Sequence, residues 1–185
     1  MARHGVAIAA ARRDVAQRLD EAAANAPGPF PRARLAASGE TEDALGRGPA
    51  LDAEESLKAA LAAARPRDRE QGGAGAGPHR SDLSVRDART GRPAAEGSTG
   101  EQKSLLLSIL LAHARLQAQL RGAAPLLLLD EVAAHLDELR RHALFHQLLD
   151  LGAQAWLTGT DEALFAPLRG AAKFVRVHDA HLSPE

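Results

Sequence analysis

The stretch LLLLDEVAAHLD, residues 126–137, decides how this sequence is read. Four leucines behind Pro125 make a continuous apolar run with the look of a strand buried on both faces. The run ends in two adjacent carboxylates, Asp130 and Glu131. Open α/β sheets bind ligands outside the carboxyl ends of their strands, so two acids delivered there are a candidate site. Taken alone, Asp-Glu fits a solvated acidic turn equally well. Asp137 then stands as an N-cap, predicting a helix over residues 138–149 with Leu144, Phe145, Leu148 and Leu149 on one side.

Outward from this stretch the pattern alternates. AQAWL, residues 153–157, reads as a second buried strand, a short helix follows Asp161, and KFVRV, residues 173–177, reads as a third strand. Upstream, GSTGEQKSLLLSILLAHARL, residues 97–116, sets small residues and a Glu-Gln-Lys trio before a helix apolar on nearly every side. That helix is predicted over residues 101–121. Helix, strand, helix, strand, helix, strand implies an α/β fold with a largely parallel sheet.

The first part of the chain is less regular. A helix over residues 5–24 carries Val6, Ala10, Val15 and Leu19 on its apolar side and ends at NAPGPFP. A strand is expected over 30–37, a loop over 38–49, and a helix over 52–65 capped by Asp52 and stopped before Pro66. GGAGAGPHRS, residues 72–81, reads as a flexible loop leading into a strand over 82–87, with a turn at 91–93. No internal repeat is visible.

Composition bounds the function. The 185 residues suit one compact domain, or one with a smaller appendage, and 45% hydrophobic content is ordinary for a globular core. No cysteine is present, which excludes disulfides, thiolate metal sites and cysteine nucleophiles. No apolar run approaches the ~18 residues of a membrane span, and the N-terminus lacks a secretory signal pattern. A cytoplasmic protein is expected. With 23 basic and 24 acidic residues the balance is not that of a strongly basic nucleic-acid binder, so DNA contact would need a local patch. His113, His135 and His146 lack partners at metal-ligand spacing, and no Gly-x-Ser-x-Gly nucleophile elbow occurs.

Strand, Asp-Glu, a short apolar link and Leu136-Asp137 resemble the Walker B motif and D-loop of ABC-type ATPases. GSTGEQK before its apolar helix resembles the signature motif of the chromosome-maintenance (SMC) branch: Ser98 and Gly100 fit, while Gly97 and Thr99 replace the usual Leu and first Gly. GPHRSDL, residues 77–83, and TGTDEALF, residues 158–165, resemble the RecF family of that branch. The resemblance implies the C-terminal half of an ABC/SMC-type P-loop ATPase head over residues 71–185, and part of a mainly helical arm over 1–70. It further implies ATP and Mg²⁺ as cofactors, with Asp130 holding the metal and Glu131 as the catalytic residue acting on the attacking water. Ser98, Gly100 and Asp137 would contact nucleotide across an ATP-dependent homodimer. The first amides of a helix and its dipole suit such an anion site. A plain Ser/Thr cap at Ser98 or Thr99 explains the same residues without a ligand. Thr160 lies near the place of a switch histidine, which this chain does not have there.

One departure is decisive. The family's GxxxxGK[ST] loop has no counterpart in this sequence; GGAGAGPHRS lacks the lysine and follows a charged segment. The expectation is therefore a C-terminal half of a RecF-type protein that does not hydrolyse ATP alone. Its implied role is ATP-dependent binding of single-stranded or gapped DNA in recombinational repair, replication and the SOS response, alongside recombination mediator proteins. Two alternatives stand beside it: an ABC-type subunit of a membrane transporter, and a degenerate fragment. His79 and Arg80 read as loop residues or as a nucleotide or DNA contact. Arg12, Arg13, Arg18, Arg32 and Arg34 read as surface charge, or as a DNA-facing side of the arm.

Overall fold

The computed structural model describes residues 1–184, which fall into two compact units. The first comprises Met1–Ala26 and Pro31–Leu116; the second comprises Pro27–Phe30 and the chain from Gln117 onward.

In the first unit α1 (Ala2–Ala24) leads into β1 (Ala33–Ser38), which pairs antiparallel with β2 (Asp82–Asp87) in the register Leu35 to Val85. Between them lie α2 (Glu40–Arg47) and α3 (Ala50–Gln71). Leu19 and Ala23 of α1, Ala33 and Leu35 of β1, and Leu105 and Ala112 of α4 (Thr99–Arg121) form one buried cluster. A second cluster joins Ala2 and Val6 to Ala53 and Leu57 of α3. The expected loop at 38–49 is corrected: it holds α2, whose buried residues are the polar Thr41 and Glu42. Helix α3 also runs through Pro66 rather than stopping before it, and Pro49, not Asp52, is its N-cap.

In the second unit β3 (Leu127–Leu129) pairs parallel with β4 (Ala155–Leu157), with α5 (Glu138–Leu151) between them in sequence. Asp137 caps α5 by accepting a hydrogen bond from the Arg140 backbone N–H at 2.8 Å. Leu144, Phe145 and Leu148 are buried, but Leu149 is exposed and leaves the predicted apolar side. A 3₁₀ segment (Glu162–Leu168) follows Asp161, and its Phe165 ring lies 6.0 Å from that of Phe145. Two expectations need correction. The strands β3 and β4 are not buried on both faces, since Leu128 and Trp156 are exposed. The third strand, β5 (Val175–His178), does not join them; it forms an antiparallel hairpin with β6 (His181–Pro184). Asp179 and Ala180 both take positive φ, 47° and 61°, as a two-residue hairpin turn with matching twist requires.

Candidate functional site

Asp130 and Glu131 follow β3 directly, at the carboxyl end of the parallel pair. The ladder continues past the strands: the Thr158 N–H donates to the Leu129 carbonyl at 3.1 Å, bringing the residue after β4 alongside the residue after β3. There the Thr158 hydroxyl donates to Asp130 Oδ1 and accepts from the Glu131 N–H at 3.1 Å. Asp130 is exposed and Glu131 half-buried. Glu131 has φ 52°, the left-handed region that non-glycine residues occupy at a cost. The chain turns there into a 3₁₀ segment (Ala133–His135), with Ala133 and Leu136 buried, before Asp137 opens α5. Thr160, the residue placed by sequence near a switch position, is exposed; Thr158 is the hydroxyl on the acid. TGTDEALF begins at Thr158, but nothing in that string marks its first hydroxyl as the partner of an acid. Its signal is positional, the first residue after a strand parallel to the acid-bearing one.

Ser98 and Gly100 belong to the first unit and Asp130, Glu131 and Asp137 to the second. Both Ser98 and Gly100 are exposed. Ser98 forms a reciprocal capping box with Glu101: its backbone N–H and hydroxyl reach Glu101 Oε2 at 2.7 and 2.9 Å, and its Oγ accepts from the Glu101 N–H at 3.4 Å. The Ser98 backbone N–H, then its hydroxyl, hold the Glu101 carboxyl below its ordinary pKa. Gln102 Nε2 donates to the carbonyls of Ala95 and Gly97, pinning the approach to the helix. Nothing lies within 4 Å of where a Gly100 Cβ would stand, so the helix tip is open on that side.

The remaining candidates are largely engaged within the chain. His79 Nε2 meets the Ala74 carbonyl at 2.7 Å. Arg12 donates to the Pro78 carbonyl and Arg32 to the Ala24 carbonyl. Arg18 pairs with Asp14 at 3.0 Å and Arg34 with Asp20 at 3.3 Å. Among the described residues no three His, Cys, Asp or Glu side chains are grouped to hold a metal, and no helix is long and apolar enough to cross a membrane. Asp130, exposed and backed by one hydroxyl, fits a water-mediated hold on a cation whose other ligands come from elsewhere.

No family model matches the chain. Two solved structures share its fold: "Structure of the recombination mediator protein RecF-ATPrS in RecFOR pathway" has a TM-score of 0.72 at 20% identity over 99% of this chain and 48% of that one. "Structure of the recombination mediator protein RecF-ATP in RecFOR pathway" has a TM-score of 0.69 at 20% identity, over 100% of this chain and 49% of that one. The fold is thus shared with about half of each of those two chains, and here Asp-Glu stands at the end of a parallel strand. The sequence comparison is more particular. The chain is 50% identical to the DNA replication and repair protein RecF of Mesorhizobium japonicum, over 100% of this chain and 49% of that protein. It is 51% identical to that of Brucella abortus over 99% and 48%. A match to RecF of a Caulobacter species reaches 54% over 84% and 40%. The chain is a relative of RecF along its whole length, and it spans about half the length of the curated relatives it matches.

Proposed function

We propose that this chain supplies the acid-bearing half of a RecF-like, ATP-dependent DNA-binding protein of recombinational repair, replication and the SOS response. The observation that carries the reading is the half-identity to RecF over the entire chain. The geometry of Asp130, Glu131 and Thr158 supports it. In this reading residues 71–185 form half of an ATPase head and residues 1–70 part of an arm, in a cytoplasmic protein.

Bound Mg²⁺ would supply charge neutralisation on the phosphates. Asp130 would hold that ion through water, with its carboxylate oriented by Thr158. Glu131, turned by its left-handed backbone, would orient the attacking water. Ser98, Gly100 and the open tip of α4 would cover nucleotide bound to a second subunit of a homodimer, with Asp137 contributing across the same interface. The sequence holds no GxxxxGK[ST] loop, so the phosphate cradle and its lysine must come from another polypeptide segment. This chain alone is expected to release no phosphate from ATP; turnover that Glu131→Gln abolishes would overturn that expectation.

Single-stranded or gapped DNA is the proposed ligand, with recombination mediator proteins as partners. Phosphate contacts dominate such binding, and log affinity should fall with log salt by about 0.7 per contact for single strands. Retention of single-stranded and gapped DNA across a salt series, with nucleotide and the complementing half present, tests this. Retention indifferent to salt, or none at low salt, would sink it. A transporter subunit is not favoured, because the relatives at half-identity are DNA repair proteins.

A further inference from the structure

The exposed side of α5 carries four ionisable side chains spaced four residues apart: Glu138, His142, His146 and Asp150. Residues at that spacing stack on one helical face, with Cβ atoms about 5–6 Å apart. The His146 side chain is 77% exposed, and its Nδ1 lies 2.8 Å from Asp150 Oδ2. A carboxylate only accepts, so Nδ1 carries the proton and Nε2 of the neutral ring keeps its lone pair. The His142 side chain is 54% exposed. Its Nε2 stands 3.9 Å from Glu138 Oε1, too far for a hydrogen bond, so this ring is free to turn toward His146. His146 lacks the partners of a closed zinc site, but His142 stands beside it one turn earlier.

We propose that His142 and His146 chelate a zinc ion on the surface of α5, with Asp150 orienting the second ligand. Two histidines four apart on one helical face are the pair that supplies zinc ligands in the H-E-x-x-H arrangement, and imidazole suits this metal. A carboxylate on the far nitrogen is the usual outer partner of a metal-binding histidine, fixing its tautomer and ring orientation. Ala143 stands where H-E-x-x-H has its general base, so this pair holds an ion without activating water for hydrolysis. Among the described residues no third His, Cys, Asp or Glu completes the set, so water fills the remaining positions. His142 lines an open cavity of about 560 Å³ with Asp137, Glu138 and Leu139, which leaves room for that water. An ion bridging His142 and His146 would join two successive turns of the helix that Asp137 caps. The site uses neither Asp130 nor Glu131 and is independent of the functional reading above.

The test is calorimetric titration of Zn²⁺ into the untagged, metal-free full chain, with amide exchange of α5 followed alongside. The expected result is one ion bound per chain, with exchange slowed in α5 and unchanged in α1. Loss of an outer partner of a metal-binding histidine costs about 10–100-fold in affinity, and loss of a ligand costs at least as much. Asp150→Asn should therefore weaken binding by about tenfold, and His142→Gln or His146→Gln by about tenfold or more. These side chains are exposed, so the variants should keep the parent circular dichroism spectrum. His178→Gln, at the cross-strand pair His178–His181 of the β5–β6 hairpin, should leave affinity unchanged. Absence of Zn²⁺ binding, affinity indifferent to any of the three α5 substitutions, or binding lost instead in His178→Gln would each overturn the proposal.

Discussion

Thr158 and Asp130 join the ends of the two parallel strands: the hydroxyl of one donates to the carboxylate of the other, and the same oxygen accepts the Glu131 N–H at 3.1 Å. One hydroxyl therefore fixes both the direction of the first acid and the backbone of the second. That is a positioning role, and it is separable from charge.

Thr158→Val removes the hydroxyl and keeps the shape. The variant should lose stability at the lower end of about 0.5–1.5 kcal/mol, since the site is exposed and water can replace part of the bond. Thr158→Ser should recover most of the loss. Urea unfolding of the three proteins decides this, and a Val variant with the parent midpoint would show that the bond contributes nothing.

Glu131 carries a backbone cost that is independent of its carboxylate. At φ 52° a side chain costs about 1 kcal/mol relative to glycine, although glycine also gains freedom in the unfolded chain. Glu131→Gly should therefore unfold at the parent midpoint or slightly above it, whereas Glu131→Val should fall below by about 1–2 kcal/mol. A glycine variant clearly less stable than the valine variant would mean that the left-handed turn is not what the site holds.

How much of this was legible in the sequence depends on whether the signal was local. The helix behind Ser98, the β3–Asp130–Glu131 junction and the Asp137 cap all follow from short-range rules, and the structure places them as expected. Helix α2 was invisible because it buries Thr41 and Glu42 rather than apolar residues, with Glu42 Oε2 accepting from the Ser81 hydroxyl at 2.7 Å. Its apolar residues Ala44 and Leu45 are only partly buried against the Val6–Leu57 cluster, and two adjacent positions are too short a pattern for hydrophobic periodicity. Pro66 should have ended α3, but its ring displaces only the bond to the carbonyl of Ala62. Ala62 is exposed, so water can take that carbonyl. The hairpin of β5 and β6 turns on Asp-Ala, a weaker signal for positive φ than Asn-Gly. The bond from Thr158 to Asp130 spans 28 positions and depends on strand register, which no local pattern encodes.

The capping box makes α4 sensitive to acid. Hydrogen bonds from Ser98 lower the Glu101 carboxyl below its ordinary value near 4.5. A lowered folded-state pKa means that the carboxylate's contribution is fully present above the unfolded value and is lost as pH falls through the folded one. Amide exchange at the start of α4 should therefore quicken below about pH 4.5, relative to that of α5. Glu101→Gln should flatten this dependence, because glutamine does not titrate. An unchanged profile in that variant would assign the acid response to other carboxylates.

Two glycines should respond to the same substitution with opposite signs. A Cβ on Gly5 of α1 would stand 2.6 Å from Leu57 Cδ2 and 3.4 Å from Pro78 Cδ. Leu57 is itself buried against Val6 and Ala53, so it has little room to withdraw. Alanine gains roughly 1 kcal/mol in helix propensity over glycine, but overpacking a filled contact costs about 1–3 kcal/mol, so Gly5→Ala should be net destabilising. On Gly46 of α2 the nearest atoms to a Cβ are the exposed Arg13 guanidinium nitrogens at 3.7 and 3.9 Å, an ordinary contact. There the propensity gain is unopposed, and Gly46→Ala should raise stability by about 0.5–1 kcal/mol. Denaturant midpoints of the two variants provide the test. If both move upward, α1 and α3 are not held at the close approach that Gly5 permits, and the packing of the first unit around Leu57 is looser than described.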